Sequence, residues 1–358
     1  MLFAHNRVIF LIGKNRGMDR KFHRRLGTWI IEHGSRSSVG MRSSVSLGHY
    51  ARELRRVLVC VSPRRFSIVR MTSVDSWTRC GNWQSNQSSM TDPVNKTILI
   101  TGAGGGFGRH MVRQFRAAGA KLILTDADDR ALREVTGDAG DDVVVSLTAD
   151  LATEEGCAEV AGICTSRDVL PDVLVNNAGI GVAGRLDQVP QDRWETLMQL
   201  NLLAPMRLCN VFLPGMIERG SGHIVNMSSL AGWIGSHGLS SYCASKFGLR
   251  GFGESLAADL EDTGVHVTNV YPCFSQTPIL DSPQYGYEQR RTVPAYLISE
   301  PSDVVARIID GVRRNRLHVF PDKYARRIHY VSRFAPWLMP WLNRRMQNES
   351  IEAGKEAV

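Results

Sequence analysis

The chain has 358 residues, 43% apolar and 22% charged, a balance that excludes wholesale disorder and fibrous or collagen-like structure. No window reaches the roughly 18 consecutive apolar residues of a membrane crossing, and seven cysteines without a Cys-x-x-Cys pair suit reduced thiols rather than disulfides or structural zinc, so no metal site is expected. The net charge of +8 divides into +12 for residues 1–89, −7 for residues 90–320 and +3 for residues 321–358, which assigns the basic balance to the ends.

Residues 1–89 are rich in Arg and Ser, poor in acids and without sustained periodicity, and are read as a disordered basic extension. Two origins fit. One is an organelle transit peptide, which would make the protein mitochondrial. The other, which is preferred, is an upstream extension without function ahead of Met90, where Met-Thr-Asp-Pro-Val-Asn-Lys leads into an apolar strand; the protein is then cytoplasmic. Nucleic-acid binding is not expected, because aromatic interleaving is thin and no known module is visible.

Residues 90–320 alternate short β-rich runs with amphipathic stretches, the pattern of parallel strands joined by helical crossovers. The predicted strands are 98–101, 121–126, 143–149, 173–176, 223–227, 266–271 and 317–320. Among the intervening helices, one carries Met111, Val112 and Phe115 and ends at Gly119, and another opens at Pro301. The expected fold is α/β: a doubly wound, Rossmann-type parallel sheet of about seven strands with helices on both faces.

After the first of these strands stands Thr101-Gly102-Ala103-Gly104-Gly105-Gly106-Phe107-Gly108. Glycine lets the backbone turn tightly against a pyrophosphate, and the free N–H groups and dipole of the helix that follows attract its charge. Asp126, 24 residues after Gly102 at the end of the next strand, is placed to accept hydrogen bonds from the adenosine ribose hydroxyls and to repel a 2′-phosphate, so NAD is favoured over NADP. Further on, Tyr242 and Lys246 lie four apart at the start of a helix and share one face. A lysine ammonium there favours the phenolate and lowers a pKa that begins at about 10.

Taken together the motifs resemble the short-chain dehydrogenase/reductase family in its single-domain form, over residues 95 to 320. Thr101, Gly102, Gly106 and Gly108 match its glycine motif, with Phe107 inside the turn. Asn176-Asn177-Ala178-Gly179 matches its Asn-Asn-Ala-Gly motif, and Asp150-Leu151 resembles its adenine-contacting pair. The resemblance implies a catalytic set of Asn201, Ser229 (13 residues before the tyrosine), Tyr242 and Lys246. Tyr242 would exchange the substrate proton, Ser229 would bind the substrate oxygen, Lys246 would hold the nicotinamide ribose, and Asn201 would hold a relay water. Cofactor contacts are then expected from Thr101, Gly102, Gly106, Phe107, Gly108, Asp126, Asp150, Leu151, Asn177, Ala178, Gly179, Tyr242, Lys246, Pro272 and Thr277. One departure stands out: the family's Pro-Gly is here Pro272-Cys273, and the cysteine is read as filling the glycine's space.

The implied activity is hydride transfer between NAD, less favourably NADP, and a secondary alcohol or ketone. The alternatives are a 3-oxoacyl reductase of lipid metabolism and a dinucleotide-sensing binding module. Tyr285, Tyr287 and Tyr296 in the expected lid, with Trp233 and His237, suggest an apolar substrate such as a steroid, retinoid or lipid. Residues 321–358 form a basic and aromatic tail, read either as a peripheral membrane contact or as a segment packed on the domain. A homodimer or homotetramer is expected from the resemblance.

Overall fold

The computed structural model describes residues 2–4, 7–13, 56–62, 65–70, 91–288 and 290–356. The chain divides into two units, Met1–Gln87 and Ser88–Val358. In the first, strands β1 (Leu2–Ala4), β2 (Arg7–Gly13), β3 (Arg56–Ser62) and β4 (Arg65–Arg70) pair antiparallel in sequence order. The remainder of the extension expected over residues 1–89 lies outside the described residues.

The second unit is built on strands β5 (Thr97–Thr101), β6 (Lys121–Asp126), β7 (Val143–Thr148), β8 (Val173–Asn176), β10 (Gly222–Met227), β11 (Val265–Val270) and β15 (His318–Val319). They form one parallel sheet in the order β15-β11-β10-β8-β5-β6-β7, and every strand predicted from the sequence is present. Two small parallel pairs lie outside it: β9 (Ala183–Gly184) with β13 (Gln284–Tyr285), and β12 (Phe274–Ser275) with β14 (Ile298–Ser299).

Alternation along the buried strands sends successive side chains to opposite faces. Ile98, Ile100, Leu122, Leu124, Val173 and Val175 pack against helices α1 (Gly106–Ala117) and α2 (Asp129–Ala139). Leu99, Ile123 and Leu174 face α3 (Glu154–Ser166) on the other side. Helices α4 (Gln191–Met198), α5 (Ala204–Arg219) and α6 (Ser240–Asp259) follow; α5 and α6 join the α3 layer, while α7 (Pro301–Arg313) returns to α1. Two helices close the chain, α8 (Lys323–Phe334) and α9 (Met339–Glu356).

Across the middle of the sheet the register aligns Asn176, Asn226 and Asn269 on neighbouring strands. Asn176 donates to Asn226 at 2.9 Å and Asn226 to Asn269 at 3.2 Å. A one-residue slip would swap these buried amides for valines of the other face and leave polar groups unpaired, so the ladder reinforces the register.

The continuous helical run Gln191–Arg219 contains a stretch with the length and mean hydropathy, 1.3, of a membrane crossing, although polar residues punctuate it. Part of its apolar surface is taken up by packing: Leu208, Phe212 and Met216 are buried against the sheet.

Because β6 and β7 extend to one side of β5 while β8, β10, β11 and β15 lie on the other, the strand order reverses between β5 and β8. In open α/β sheets, a crevice opens beyond the carboxyl ends of the strands at such a reversal.

Candidate active site

At that crevice the chain ties its two halves together. The Thr101 hydroxyl accepts from the backbone N–H groups of Asn177 and Ala178, each at 2.9 Å, and donates to the Val175 carbonyl. The Asn177 carboxamide donates to the Thr101 and Gly102 carbonyls at 2.8 and 3.0 Å. Gly102 sits at φ +64°, and an added Cβ would stand 2.9 Å from Ala178 Cα. A Cβ on Gly108 would come within 2.0 Å of the Gly102 carbonyl. Thr101 and Gly108 therefore shape the turn from behind and do not line the crevice.

Helix α1 begins at Gly106 with Gly105 as its N-cap, no side-chain cap and no acid in its first turn. Its first N–H groups have no side-chain cap, as in α4, α6 and α7, whereas α2, α3 and α8 are capped by Asp128, Thr153 and Asp322. A Cβ on Gly105 would meet nothing nearer than 3.9 Å. This is a cradle shaped and polarised for a pyrophosphate. Asp126 borders it, accepting from the Gly104 N–H at 2.8 Å and the Asp128 N–H at 3.0 Å. The nearby cations Arg109 and Arg130 are both drawn to Glu134, at 2.9 and 3.3 Å.

A single cavity of about 760 Å³ runs from this cradle to the tyrosine, lined by Gly102, Gly106, Phe107, Asp126, Asp150, Leu151, Asn177, Ala178, Gly179, Ser229, Tyr242, Lys246, Pro272 and Thr277. The residues expected at the reacting end converge here. The two serines after β10 take different tasks: Ser228 Oγ donates into α6 at the Lys246 carbonyl, 3.0 Å away, while Ser229 Oγ accepts the Ala231 N–H at 3.1 Å and turns its own proton to the Tyr242 phenol. On α6, Lys246 Nζ donates to the Met227 carbonyl at 2.9 Å and lies 5.7 Å from the centre of the Tyr242 ring.

Asn201 stands one layer behind. It sits in a widened turn, Gln199–Leu203, with five residues in a π-helical loop between α4 and α5, the kind of bulge that often marks functional sites. It is fully buried. Its Oδ1 accepts from the Ile180 N–H and its Nδ2 donates to the Ile180 carbonyl, both at 2.9 Å, with Ser245 Oγ a further partner. A Cβ on Gly179 would lie 3.0 Å from Asn201 Oδ1 and 3.5 Å from Lys246 Nζ. Asn201 thus fixes the Gly179-Ile180 wall beside the lysine.

Burial reverses one electrostatic expectation. Desolvation pushes the Tyr242 phenol up to about 12, with the Ser229 hydroxyl pulling the other way. The same cause draws the Lys246 ammonium down to about 8. Removing charge from water costs more here than the neighbouring ammonium returns, so the depressed phenol pKa expected from the spacing is not found.

Cys273 fills the family's glycine position in a way the sequence did not disclose. Its backbone N–H donates to Asp322 Oδ2 at 2.8 Å, and the other oxygen of that buried carboxylate caps α8 through the Ala325 N–H at 2.7 Å. Burial first, then the Asp322 charge, pushes the Cys273 thiol up to about 12. It remains a thiol at neutral pH and is no nucleophile.

The remaining wall corrects the sequence reading. His237 and Tyr287 line the cavity, but Trp233, Tyr285 and Tyr296 do not. Trp233 turns away into a cluster with Tyr271, His318, Phe320 and His329, under the Arg250 guanidinium at 3.5 Å. Tyr296 is exposed and donates to Glu349. The tail, for which packing and membrane contact were both open, packs: Asn343, Met346, Gln347 and Ser350 of α9 line the cavity. Asn343 donates to the Gly235 carbonyl at 3.0 Å and Ser350 Oγ to the Thr292 carbonyl at 2.9 Å. The spacing of 343, 346, 347 and 350 on one helical face was the available sequence signal.

Comparisons with known proteins agree with this geometry. A family model described as short chain dehydrogenase matches residues 96–285. Epidermal retinol dehydrogenase 2 of Mus musculus is 33% identical over 250 residues, covering 68% of this chain and 79% of that protein. Among solved structures, a short-chain dehydrogenase from Streptomyces avermitilis superposes with a TM-score of 0.61 at 27% identity, covering 70% of this chain and 97% of that one. Another, from Sphingobium yanoikuyae in complex with NADPH, gives 0.59 at 28% identity over 68% and 95% of the two chains.

The buried lysine has a measurable consequence. Its folded-state pKa is about 8 against the ordinary lysine value of 10.5, so between those values the unfolded chain binds a proton that the folded one does not. Stability then rises with pH across that window, an increment present above it and lost as pH falls through about 8. Urea unfolding from pH 7.5 to 10 should show the wild type gaining stability relative to Lys246→Met, and a difference independent of pH would contradict the burial argument.

Proposed function

Since the chain belongs to the short-chain dehydrogenase family, we propose that it is an NAD-dependent oxidoreductase acting on secondary alcohols or ketones of lipophilic character. The observation that carries this reading is one continuous cavity holding the uncapped glycine turn at one end and Ser229, Tyr242 and Lys246 at the other. A nicotinamide dinucleotide bound there supplies or accepts the hydride.

The chain's own groups handle everything else. Ser229 donates to the substrate oxygen and stabilises charge that develops on it. Tyr242 keeps its proton at neutral pH, as its raised pKa requires, and so delivers it to a carbonyl oxygen; in the reverse direction it recovers the alcohol proton. Lys246, mostly charged at pH 7 with a pKa of about 8, offers its N–H groups to a ribose hydroxyl and favours the phenolate as it forms. Leu200, Ile234, Leu239, Leu297 and Met346 on the wall suit an apolar substrate body.

Asp126 supports NAD. Its carboxylate is fixed beside the cradle, and Arg109 and Arg130, which could otherwise meet a 2′-phosphate, are engaged by Glu134. Exposed Met206, Val211 and Ile217 on α5 and Phe247 on α6 support a homo-oligomer through those helices.

A peripheral membrane contact has support of its own. On α8, Lys323, Arg326, Arg327, Tyr330, Arg333 and Phe334 are all exposed and follow one another at helical spacing. Phe334 and Trp337 are 71% and 72% exposed. Aromatics beside cations suit the interface of an anionic bilayer.

Three outcomes follow. Tyr242→Phe should lose at least about 100-fold in kcat, the usual reach of general acid–base catalysis, while still binding NADH by fluorescence titration; near-normal turnover would refute the assignment. Asp126→Ala should lower the NADH-to-NADPH ratio of kcat/KM by about 10- to 100-fold, the worth of hydrogen bonds to a charged group, and an unchanged ratio would remove the case for NAD. The full chain should pellet with phosphatidylserine-containing vesicles and lose that with Phe334→Ser plus Trp337→Ser, whereas equal pelleting would end the membrane reading.

A further inference from the structure

Among the described residues, Arg291 and Lys246 are the cations on the wall of the cavity, and groups from several segments contact Arg291. The Gln284 side chain grips its backbone at both ends, accepting from the Arg291 N–H at 2.9 Å and donating to the Arg291 carbonyl at 2.8 Å. The Tyr287 ring lies 3.9 Å from the guanidinium carbon. His237, from the loop between β10 and α6, accepts an N–H of the guanidinium at 3.1 Å through Nδ1. The next residue, Thr292, is fastened to α9 by two hydrogen bonds with Ser350, one through backbone groups and one through the serine hydroxyl.

No carboxylate among the described residues pairs with this guanidinium. Of the two acids in this loop, Asp281 is taken by Arg290 at 2.9 Å, and Glu288, exposed, makes no ion pair with Arg291. An arginine presents five N–H donors in a planar fork. One goes to His237, and the stacking on Tyr287 covers a face of the fork without consuming its remaining edge donors. Ordering a long side chain costs conformational entropy, and here the Tyr287 ring and His237 hold the guanidinium while Gln284 and, through Thr292, the C-terminal helix hold the backbone that carries it. A surface arginine with a merely solubilising role gains nothing from such restraint. A cation restrained without an acid partner inside a ligand cavity is arranged for an anion that arrives with the ligand.

We propose that Arg291 is the anion-binding part of the substrate site, and that the preferred substrates carry a carboxylate besides the reacting carbon: lipophilic hydroxy or keto acids. This deepens the oxidoreductase reading and depends on it only for turnover. Gln284 and Tyr287 act as positioning residues for the arginine, and α9, through Ser350, closes the wall that carries it.

The test separates binding from catalysis. Dodecanoate and dodecanamide share a chain and differ in charge. Their affinities for the full-length protein are measured by isothermal titration at pH 7.5 in low salt, together with those of Arg291→Met, Arg291→Lys and Gln284→Ala. The wild type should prefer the carboxylate by about 10- to 100-fold, as charge-assisted hydrogen bonds allow. Arg291→Met should bring the ratio close to one, Arg291→Lys should retain part of it, and Gln284→Ala should reduce it with the guanidinium still present. Equal affinities in the wild type, or an unchanged ratio in Arg291→Met, would overturn the proposal. Turnover of a ketone and its ω-carboxy analogue forms a second arm: absence of turnover with both would fail the oxidoreductase reading, and the titrations would still decide the fate of Arg291.

Discussion

The cross-tie between the carboxyl ends of β5 and β8 is the constraint on which the rest of the site depends. Thr101 and Asn177 place four hydrogen bonds between the glycine turn and the turn after β8, at the point where the strand order reverses. The dinucleotide cradle lies on one side of this tie and the reacting groups on the other. Backbone amides can be aimed at a ligand only if the loops that carry them do not move independently, and the tie joins the two loops into one piece. The close approach of Gly102 to Ala178 shows how little room remains: only a residue without a side chain lets the two turns touch.

The reacting end shows the cost of building such a site in a crevice. Lys246 is buried and Tyr242 half-buried, and desolvation shifts each pKa toward its neutral form. The protein compensates with fixed polar contacts rather than with a carboxylate: the Met227 carbonyl for the ammonium, the Ser229 hydroxyl for the phenol. A neutral, hydrogen-bonded tyrosine is suited to donate a proton, and nearby preorganised donors ease the charge that the transfer creates. Asn201, held by a π-helical turn, keeps the opposing wall in register with the lysine.

The C-terminal helices are built into the wall of the site. Asp322 links the turn at Cys273 to the start of α8, and α9 reaches back to Gly235 and Thr292, segments that flank the substrate end. The tail is therefore joined both to the turn at Pro272-Cys273 and to the wall that holds Arg291. Its outer surface keeps the exposed aromatic and basic residues. One segment accordingly contributes to the pocket within and to the surface without.

The sequence by itself determined the sheet and the chemistry nearest the backbone. Period-two burial and helical spacing are local properties, and motifs such as Thr101 to Gly108 or Tyr242 and Lys246 keep their meaning because a strand–turn–helix unit fixes their geometry within a few residues. Tertiary structure alone decided what depends on distant segments meeting. Whether burial or the neighbouring charge governs Tyr242 depends on how much of the fold covers it. Trp233 was expected at the pocket and is drawn away by Tyr271, Phe320 and His329, residues 38 to 96 positions later. Arg291 and Asp322 resemble ordinary loop residues until Gln284, His237 and Cys273 are brought against them, because the partner of a long polar side chain is chosen by the folded surface and not by its neighbours in the chain.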